Sequence, residues 1–129
     1  MYNDLRTQNA YPGKAGRERR IPNHDMTHYK FIVNPVAGRG AGERDIPRIG
    51  SILKGYGLDF DLVRTERPWH AADLAQAAVA EGHDGVVAVG GDGTVNEVLN
   101  GLMRARHDGV GRCAMGVLCV GRGNDFAYG

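Results

Sequence analysis

The sequence predicts an α/β fold with a doubly wound, mostly parallel sheet and helices on both faces. Four short apolar runs alternate with three segments of helical spacing, which gives the order βαβαβαβ. The last two runs are apolar or glycine throughout, as is typical of strands buried in a parallel sheet. Glycine supplies 20 of the 129 residues, about twice its ~7% average usage, so many positions are expected to need sharp turns or close backbone approach.

The ordered part of the chain is predicted to begin near Tyr29. Residues 1–28 are polar, contain two prolines and follow no period of 2 or 3.6, so we expect an extension outside the fold. Residues 29–129 are long enough for one core and too short for two, so we expect a single α/β domain there. The strands are predicted at Lys30–Asn34, Phe60–Thr65, Gly85–Gly90 and Gly116–Gly121.

Three amphipathic stripes predict the helices between these strands. Pro68 is placed to start the second helix and Gly82 to end it, and the third helix is expected to begin at Thr94. The stripes are Ile46, Ile49, Leu53 and Tyr56; then Ala71, Leu74, Ala75, Ala78 and Val79; then Val95, Val98, Leu99, Leu102 and Met103.

Charge and cysteine content exclude several classes of partner. A formal net charge of +1 gives no strong field for nucleic acid. No apolar run approaches the ~20 residues of a membrane span, so any membrane contact is expected to be peripheral. Cys113 and Cys119 have no metal-binding spacing and are expected to be reduced thiols, which favours a cytoplasmic location. His70, His83 and His107 have no partner at ligand spacing, so no metal site is predicted.

Three glycine-rich loops are predicted to open on one edge of the sheet. Residues 34–42, 90–94 and 121–125 follow the first, third and fourth strands, and the carboxyl ends of parallel strands face the same side. Glycine backbone N–H groups and a helix N-terminus can bind phosphate. The carboxylate of Asp92 would be repelled by nearby phosphates, so its presence suggests either a cation between them or a reacting hydroxyl whose proton it accepts. The alternative is that Asp92 is a helix N-cap. Neither the dinucleotide-binding fingerprint nor the P-loop pattern is met.

Together these loops resemble the signatures of a known family. "NPVAG", "GGDGTVNEVLNGL" and "GRGNDFA", in this order over residues 29–129, are similar to motifs of the diacylglycerol kinase catalytic domain family, which includes bacterial lipid kinases, sphingosine kinases and ceramide kinase. The resemblance implies an N-terminal α/β domain that binds ATP with Mg²⁺. It also implies a C-terminal β-sandwich that binds lipid, and transfer of the γ-phosphate to a lipid hydroxyl, as in diacylglycerol.

The resemblance also assigns roles to individual residues. Asp92 is the expected catalytic residue, which helps to orient Mg²⁺-ATP or the acceptor hydroxyl. Thr65 falls beside the nucleotide, although it could instead cap the following helix, and Glu97 is expected to favour the dipole of its own helix. Trp69 is expected to pack rather than to stack on adenine. Nucleotide-binding positions carried over are Asn34, Pro35, Val36, Ala37, Gly38, Thr65, Gly90, Gly91, Asp92, Gly93, Thr94, Val95, Asn96 and Arg122, the last standing where the family more often has threonine.

The lipid-binding half of the family is expected to be missing from this chain. Family sequences continue well beyond the position of Gly129, so no metal ligand is assigned here and the lipid stays unidentified. Alone, the chain is expected to bind ATP weakly and to transfer phosphate negligibly. Its uncovered apolar surface favours a homodimer. Two alternatives stay open: a stand-alone, non-catalytic nucleotide-binding module, or an enzyme similar to NAD kinases.

Overall fold

The computed structural model describes residues 27–120 and confirms the predicted fold class. The extension up to residue 26 and the loop at 121–125, with Arg122, lie outside the described residues. β1 begins at His28, a residue that the sequence pattern placed in the extension. The elements are β1 (His28–Val33), α1 (Ala37–Gly55), β2 (Asp59–Arg64), α2 (His70–Ala80), β3 (Gly85–Gly90), α3 (Asp92–His107) and β4 (Ala114–Cys119).

The four strands form one parallel sheet in the order β2-β1-β3-β4. Ile32 at the centre of β1 pairs with Val63 on one side and with Ala88 on the other. The chain moves outward from β1 to β2 and then returns to β3, so the winding reverses between β1 and β3. Ligands of open α/β sheets bind at such a switch point, beyond the carboxyl ends of the strands.

Side chains from successive strand positions fill two apolar cores, one on each face of the sheet. Phe31 and Val33 pack with α1 residues such as Ile49. Ile32, between them in sequence, packs on the opposite face with residues of α2 and α3 such as Val98. This alternation is the period of two that a strand imposes on its side chains.

A glycine brings α2 and α3 into close contact. A Cβ added to Gly101 would lie 2.1 Å from the carbonyl oxygen of Ala72, so only glycine fits there. As a result, α3 buries a face that includes Gly101 and Ala105, while Leu99 and Met103 of the predicted stripe are 45% and 61% exposed. None of the helices within residues 27–120 combines the length and apolar character needed to cross a bilayer.

Candidate functional site

A cavity of about 540 Å³ lies at the carboxyl edge of the sheet, among the loops that follow β1, β2 and β3. This volume falls within the roughly 300–1,000 Å³ of small-molecule sites. It brings together six residues predicted to bind nucleotide: Asn34, Pro35, Val36, Thr65, Gly93 and Thr94. The cavity is also lined by Glu66, Arg67, Pro68, Ala71 and Glu97.

The N-terminus of α3 presents backbone donors at this cavity. Gly91 is the N-cap, with an extended backbone, and Val95 N–H makes the first helical bond, 3.1 Å to Gly91 O. The four preceding N–H groups therefore have no acceptor within the helix, and they carry the positive end of its dipole. A Cβ added to Gly91 or Gly93 would have no heavy atom within 4 Å, so open space borders the first turn of α3 at these two glycines. This arrangement can bind an anion.

Gly90 has a different role from the glycines that follow it. A Cβ at Gly90 would lie 2.5 Å from Thr94 Oγ1 and 2.9 Å from Thr94 Cβ. Thr94 is itself only 5% exposed. Gly90 therefore lets the first turn of α3 pack against the end of β3, which fixes the position of the amides.

The loop after β1 is shaped by Asn34. Its N–H donates to Val89 O (3.0 Å), which extends the pairing of β1 with β3 by one residue. Its side-chain Oδ1 accepts a hydrogen bond from Val36 N–H (3.1 Å), and its carbonyl oxygen accepts one from Ala37 N–H (3.1 Å). Asn34 thus bends the chain sharply beside the cavity, as asparagine commonly does at turns.

Three left-handed residues then delay the regular part of α1. Gly38 (φ 61°), Arg39 (φ 58°) and Gly40 (φ 93°) follow one another near the start of α1. Glycine adopts this conformation without the steric cost that Arg39 bears. Gly42 then passes so close to Asn34 that an added Cβ would lie 2.1 Å from its carbonyl oxygen. The predicted glycine-rich loop is therefore a tightly packed turn rather than an open coil.

Asp92 occupies the first position of α3 and does not cap it. The N-cap is Gly91, and no side-chain hydrogen bond caps the helix, so the interpretation of Asp92 as a structural cap is wrong. Its side chain is exposed and makes no hydrogen bond or ion pair with any other residue in the described range. Within residues 27–120, a carboxylate is thus held next to the first-turn amides of α3 without a hydrogen-bonding or ion-pair partner.

Two other sequence-based expectations are corrected, and a third is narrowed. The side chain of Val95 is 8% exposed and belongs to the core between α2, α3 and the sheet, so the prediction that Val95 binds nucleotide stays open only for its backbone. Thr65 does not cap α2, because that helix has Trp69 as its N-cap and no side-chain cap. Trp69 was expected to pack, but it is 48% exposed with a left-handed φ of 67°.

Glu97 acts on the neighbouring helix rather than on its own. It lies beyond the first turn of α3, and its Oε1 accepts a hydrogen bond from Ala71 N–H (3.3 Å) in the first turn of α2. A carboxylate at this position stabilises a helix N-terminus. Glu97 therefore links α2 to α3 across the cavity wall.

The loop after β2 is the part of the site that sequence reasoning missed. It lacks the glycines that drew attention to the other loops, yet Glu66, Arg67 and Pro68 line the cavity. The guanidinium of Arg67 lies 3.1 Å from Asp73 Oδ2, and this hydrogen bond lowers the pKa of Asp73. The position of this loop could have been inferred from the predicted parallel sheet, because the carboxyl ends of all its strands lie at the same edge. The other predicted residues in the described range do not line the cavity: Gly90 ends β3, Gly91 is the N-cap of α3, and Ala37, Gly38, Asp92 and Asn96 lie within α1 or α3.

Comparison with known proteins gives the family. Residues 28–129 match the diacylglycerol kinase catalytic domain. The chain belongs to this family. Human sphingosine kinase 2 is 39% identical over 99 residues, and a diacylglycerol kinase from Staphylococcus haemolyticus is 33% identical over 97 residues. The relatives of this diacylglycerol kinase-family chain are thus lipid kinases.

Solved structures agree with this assignment. A diacylglycerol kinase from Bacillus anthracis superposes with a TM-score of 0.65 at 29% identity, covering 79% of this chain and 34% of that one. The sequence matches cover 75% of this chain, but only 15% of the human relative and 28% of the staphylococcal one. This member of the diacylglycerol kinase family therefore spans a minor part of the proteins it matches.

Proposed function

We propose that the chain is the ATP-binding part of a kinase that phosphorylates the hydroxyl of a diacylglycerol-like lipid. The observation that carries this proposal is the cavity itself, to which three separate loops contribute and at which the N-terminus of α3 presents its amides. Kinase catalysis depends mainly on positioning the phosphates and neutralising their charge, and this geometry suits both tasks.

The amides of Gly91–Thr94 bind the phosphates in this proposal. These donors have no acceptor within the helix, and an approaching phosphate meets no Cβ at Gly91 or Gly93. The Asn34 turn and the strand end at Thr65 form the sides of the cavity and position the rest of the nucleotide. The basic side chain of Arg67 adds positive charge at the rim, where its pairing with Asp73 holds it in place.

The carboxylate of Asp92 fits a bound cation. A lone carboxylate beside phosphates is unfavourable, and Asp92 has no partner in the described range to neutralise it. Mg²⁺, when bound together with ATP, neutralises phosphate charge and prefers oxygen ligands. We assign to Asp92 the orientation of Mg²⁺-ATP or of the acceptor hydroxyl.

In the reaction, the lipid hydroxyl oxygen forms a bond to the γ-phosphorus as the bond to the bridging oxygen of ADP breaks, and the hydroxyl proton passes to a carboxylate. The lipid pocket and further acidic groups are proposed to lie in the part of the relatives beyond the matched segment. The chain alone is therefore proposed to bind ATP weakly and to be nearly inactive. We also propose that the kinase is cytoplasmic and meets its lipid at the membrane surface.

The substitution Asp92→Asn in the full-length gene product tests this proposal. Phosphorylated lipid, measured by mass spectrometry with diacylglycerol vesicles and ATP, should fall by at least 100-fold, while thermal unfolding stays unchanged. Asp108→Asn is the matched control, because Asp108 is exposed at the opposite end of α3, and it should leave the rate unchanged. A normal rate in Asp92→Asn would refute the role of Asp92, and phosphorylation of NAD instead of lipid would refute the substrate class.

A further inference from the structure

A buried group of acidic residues and histidines lies at the opposite edge of the sheet from the nucleotide cavity. His28 begins β1, Asp59 and Asp61 lie on β2, and His83 sits in the turn between α2 and β3. His28 Nε2 lies 2.9 Å from Asp61 Oδ2, and His83 Nε2 lies 3.0 Å from the same oxygen. The side chains of His28 and His83 are 1% and 2% exposed, and that of Asp61 is 15% exposed.

Strand geometry explains how these residues meet. His28 pairs with Asp59 in the parallel register of β1 and β2, and Asp61 lies two positions further along β2 on the same face. His83 is placed by the end of α2, where its N–H donates to Ala78 O (3.1 Å). The two imidazole rings come within 4.7 Å of each other, measured between centroids.

Every ring nitrogen of the two histidines faces an oxygen that cannot donate a proton. His28 Nδ1 lies 2.9 Å from Asp59 Oδ2, and His83 Nδ1 lies 3.2 Å from Ala78 O, while both Nε2 atoms face Asp61. A neutral imidazole carries only one proton, so each neutral ring would direct one lone pair at an acceptor. Two positive charges, one for each imidazole, would remove these unfavourable contacts between the Nε2 atoms and Asp61.

A single divalent cation supplies these two charges. One ring nitrogen of each histidine and a carboxylate oxygen of Asp61 all lie within 4.8 Å of one another. Tetrahedral Zn²⁺ bonds of about 2.0–2.2 Å separate neighbouring ligand atoms by about 3.3 Å, so shifts of a few tenths of an ångström bring each imidazole nitrogen to its proper distance from Asp61. The other carboxylate oxygen, Asp61 Oδ1, is buried and has no hydrogen-bond partner in the described part of the chain. It is available as a further ligand atom.

We propose that His28 Nε2, His83 Nε2 and Asp61 bind a divalent transition-metal ion of the Zn²⁺ type. Asp59 and the Ala78 carbonyl then act as outer partners that keep each proton on Nδ1 and turn each Nε2 toward the ion, as such partners do in known zinc sites. The bound ion ties the start of β1 to β2 and to the turn before β3. Its effect is on the stability of the fold, because the nucleotide cavity lies at the other edge of the sheet.

Titration of the untagged, chelator-treated full chain with Zn²⁺ tests this site. Calorimetry should show one ion bound per chain, and the melting temperature should rise with Zn²⁺ concentration. Asp61→Asn and His83→Gln should each weaken binding by more than about 100-fold, and Asp59→Asn by about 10- to 100-fold, as for outer-shell changes. Mg²⁺ should not compete at equal concentration, because it prefers oxygen ligands.

Matched control variants test whether other side chains of the chain bind the metal ion. His107→Gln changes an exposed histidine on α3 and should bind Zn²⁺ as the unsubstituted chain does. Replacing both Cys113 and Cys119 by serine should also leave the affinity unchanged. Visible absorption of bound Co²⁺, displaced by Zn²⁺, reports the site in the unsubstituted chain even where a variant fails to fold. Absence of binding there, or loss of binding only on cysteine replacement, would overturn the proposal.

Discussion

Replacing Gly93 by alanine should stabilise the fold and weaken ATP binding. Gly93 is the second residue of α3, and an added Cβ would have no heavy atom within 4 Å. Alanine in place of a helical glycine gains roughly 0.5–1 kcal/mol, with the lower end expected in a first turn. At about 4–8 °C per kcal/mol for a domain near 100 residues, the melting temperature should rise by roughly 2–5 °C.

The same methyl group should obstruct the phosphate. It enters the open space that borders the first turn of α3, which the phosphate occupies in this proposal, so the phosphate must shift away from the first-turn amides. Losing one hydrogen bond to a charged group costs about 1.5–3 kcal/mol, which weakens ATP binding by about 10- to 100-fold. Trp69 is the only tryptophan and is half exposed beside Pro68 of the cavity wall, so its fluorescence can follow the titration with Mg²⁺-ATP.

Gly50→Ala is the matched control for this experiment. Gly50 lies inside α1, and an added Cβ there would also have no neighbour within 4 Å. Its substitution should raise the melting temperature by a similar amount and leave ATP binding unchanged. Unchanged ATP affinity in Gly93→Ala would refute the phosphate-binding role of these amides, and a lower melting temperature would show that the space is not open.

Three further predictions concern packing, thiol reactivity and helix ends. Gly101→Ala should lower the free energy of unfolding by about 1–3 kcal/mol in urea titration, because its Cβ would lie 2.1 Å from Ala72 O; an unchanged midpoint would contradict the close contact. Burial, with the Asp84 carboxylate as a second cause, raises the pKa of Cys113 to about 11, so only ~0.1% is thiolate at pH 8 and alkylation should be slow, accelerating as the pH approaches 11. Rapid alkylation of Cys113 at pH 8, located by mass spectrometry, would count against this. Glu97→Gln should cost about 0.3–1 kcal/mol, less at high salt, because it removes a charge from the N-terminus of α2; an effect independent of salt would point to packing instead.

The alternation of apolar runs was sufficient to predict the strands and the fold class. Buried parallel strands need continuous apolar sequence, and glycine marks the turns that follow them, so both signals are local. The expectation that the fourth strand is buried is wrong, because β4 lies at an edge of the described sheet and none of its residues is fully buried. Helix termini were less predictable. Aspartate caps helices well, so Asp92 was the alternative choice for the α3 N-cap. Gly91 takes that position instead, and no side-chain hydrogen bond caps the helix.

The buried face of α3 was only partly predictable, because it depends on contact with α2. The apolar stripe pointed to Leu99 and Met103, whereas the structure buries Gly101, which has no side chain to signal its burial. Glu97 shows the same limit. Its partner, the Ala71 N–H, lies 26 residues earlier on another helix, and no spacing along α3 reveals it.

Contacts between distant segments also explain why the two ends of the sheet differ in predictability. At the carboxyl edge the loops after β1 and β3 can be recognised from their glycines, since glycine is required where backbone approaches backbone closely, as at Gly42 against Asn34. The loop after β2 has no glycine and gave no such signal. At the amino edge, His28 and His83 are 33 and 22 residues from Asp61, and each alone is unremarkable. Only the β1–β2 register and the end of α2 join them. Because the two edges share the sheet but no side chain, Asp61→Asn should weaken Zn²⁺ binding and leave the fluorescence titration with ATP unchanged. Gly93→Ala should weaken ATP binding and leave Zn²⁺ binding unchanged. Weaker binding of both Zn²⁺ and ATP in either variant would show that the two sites are not independent.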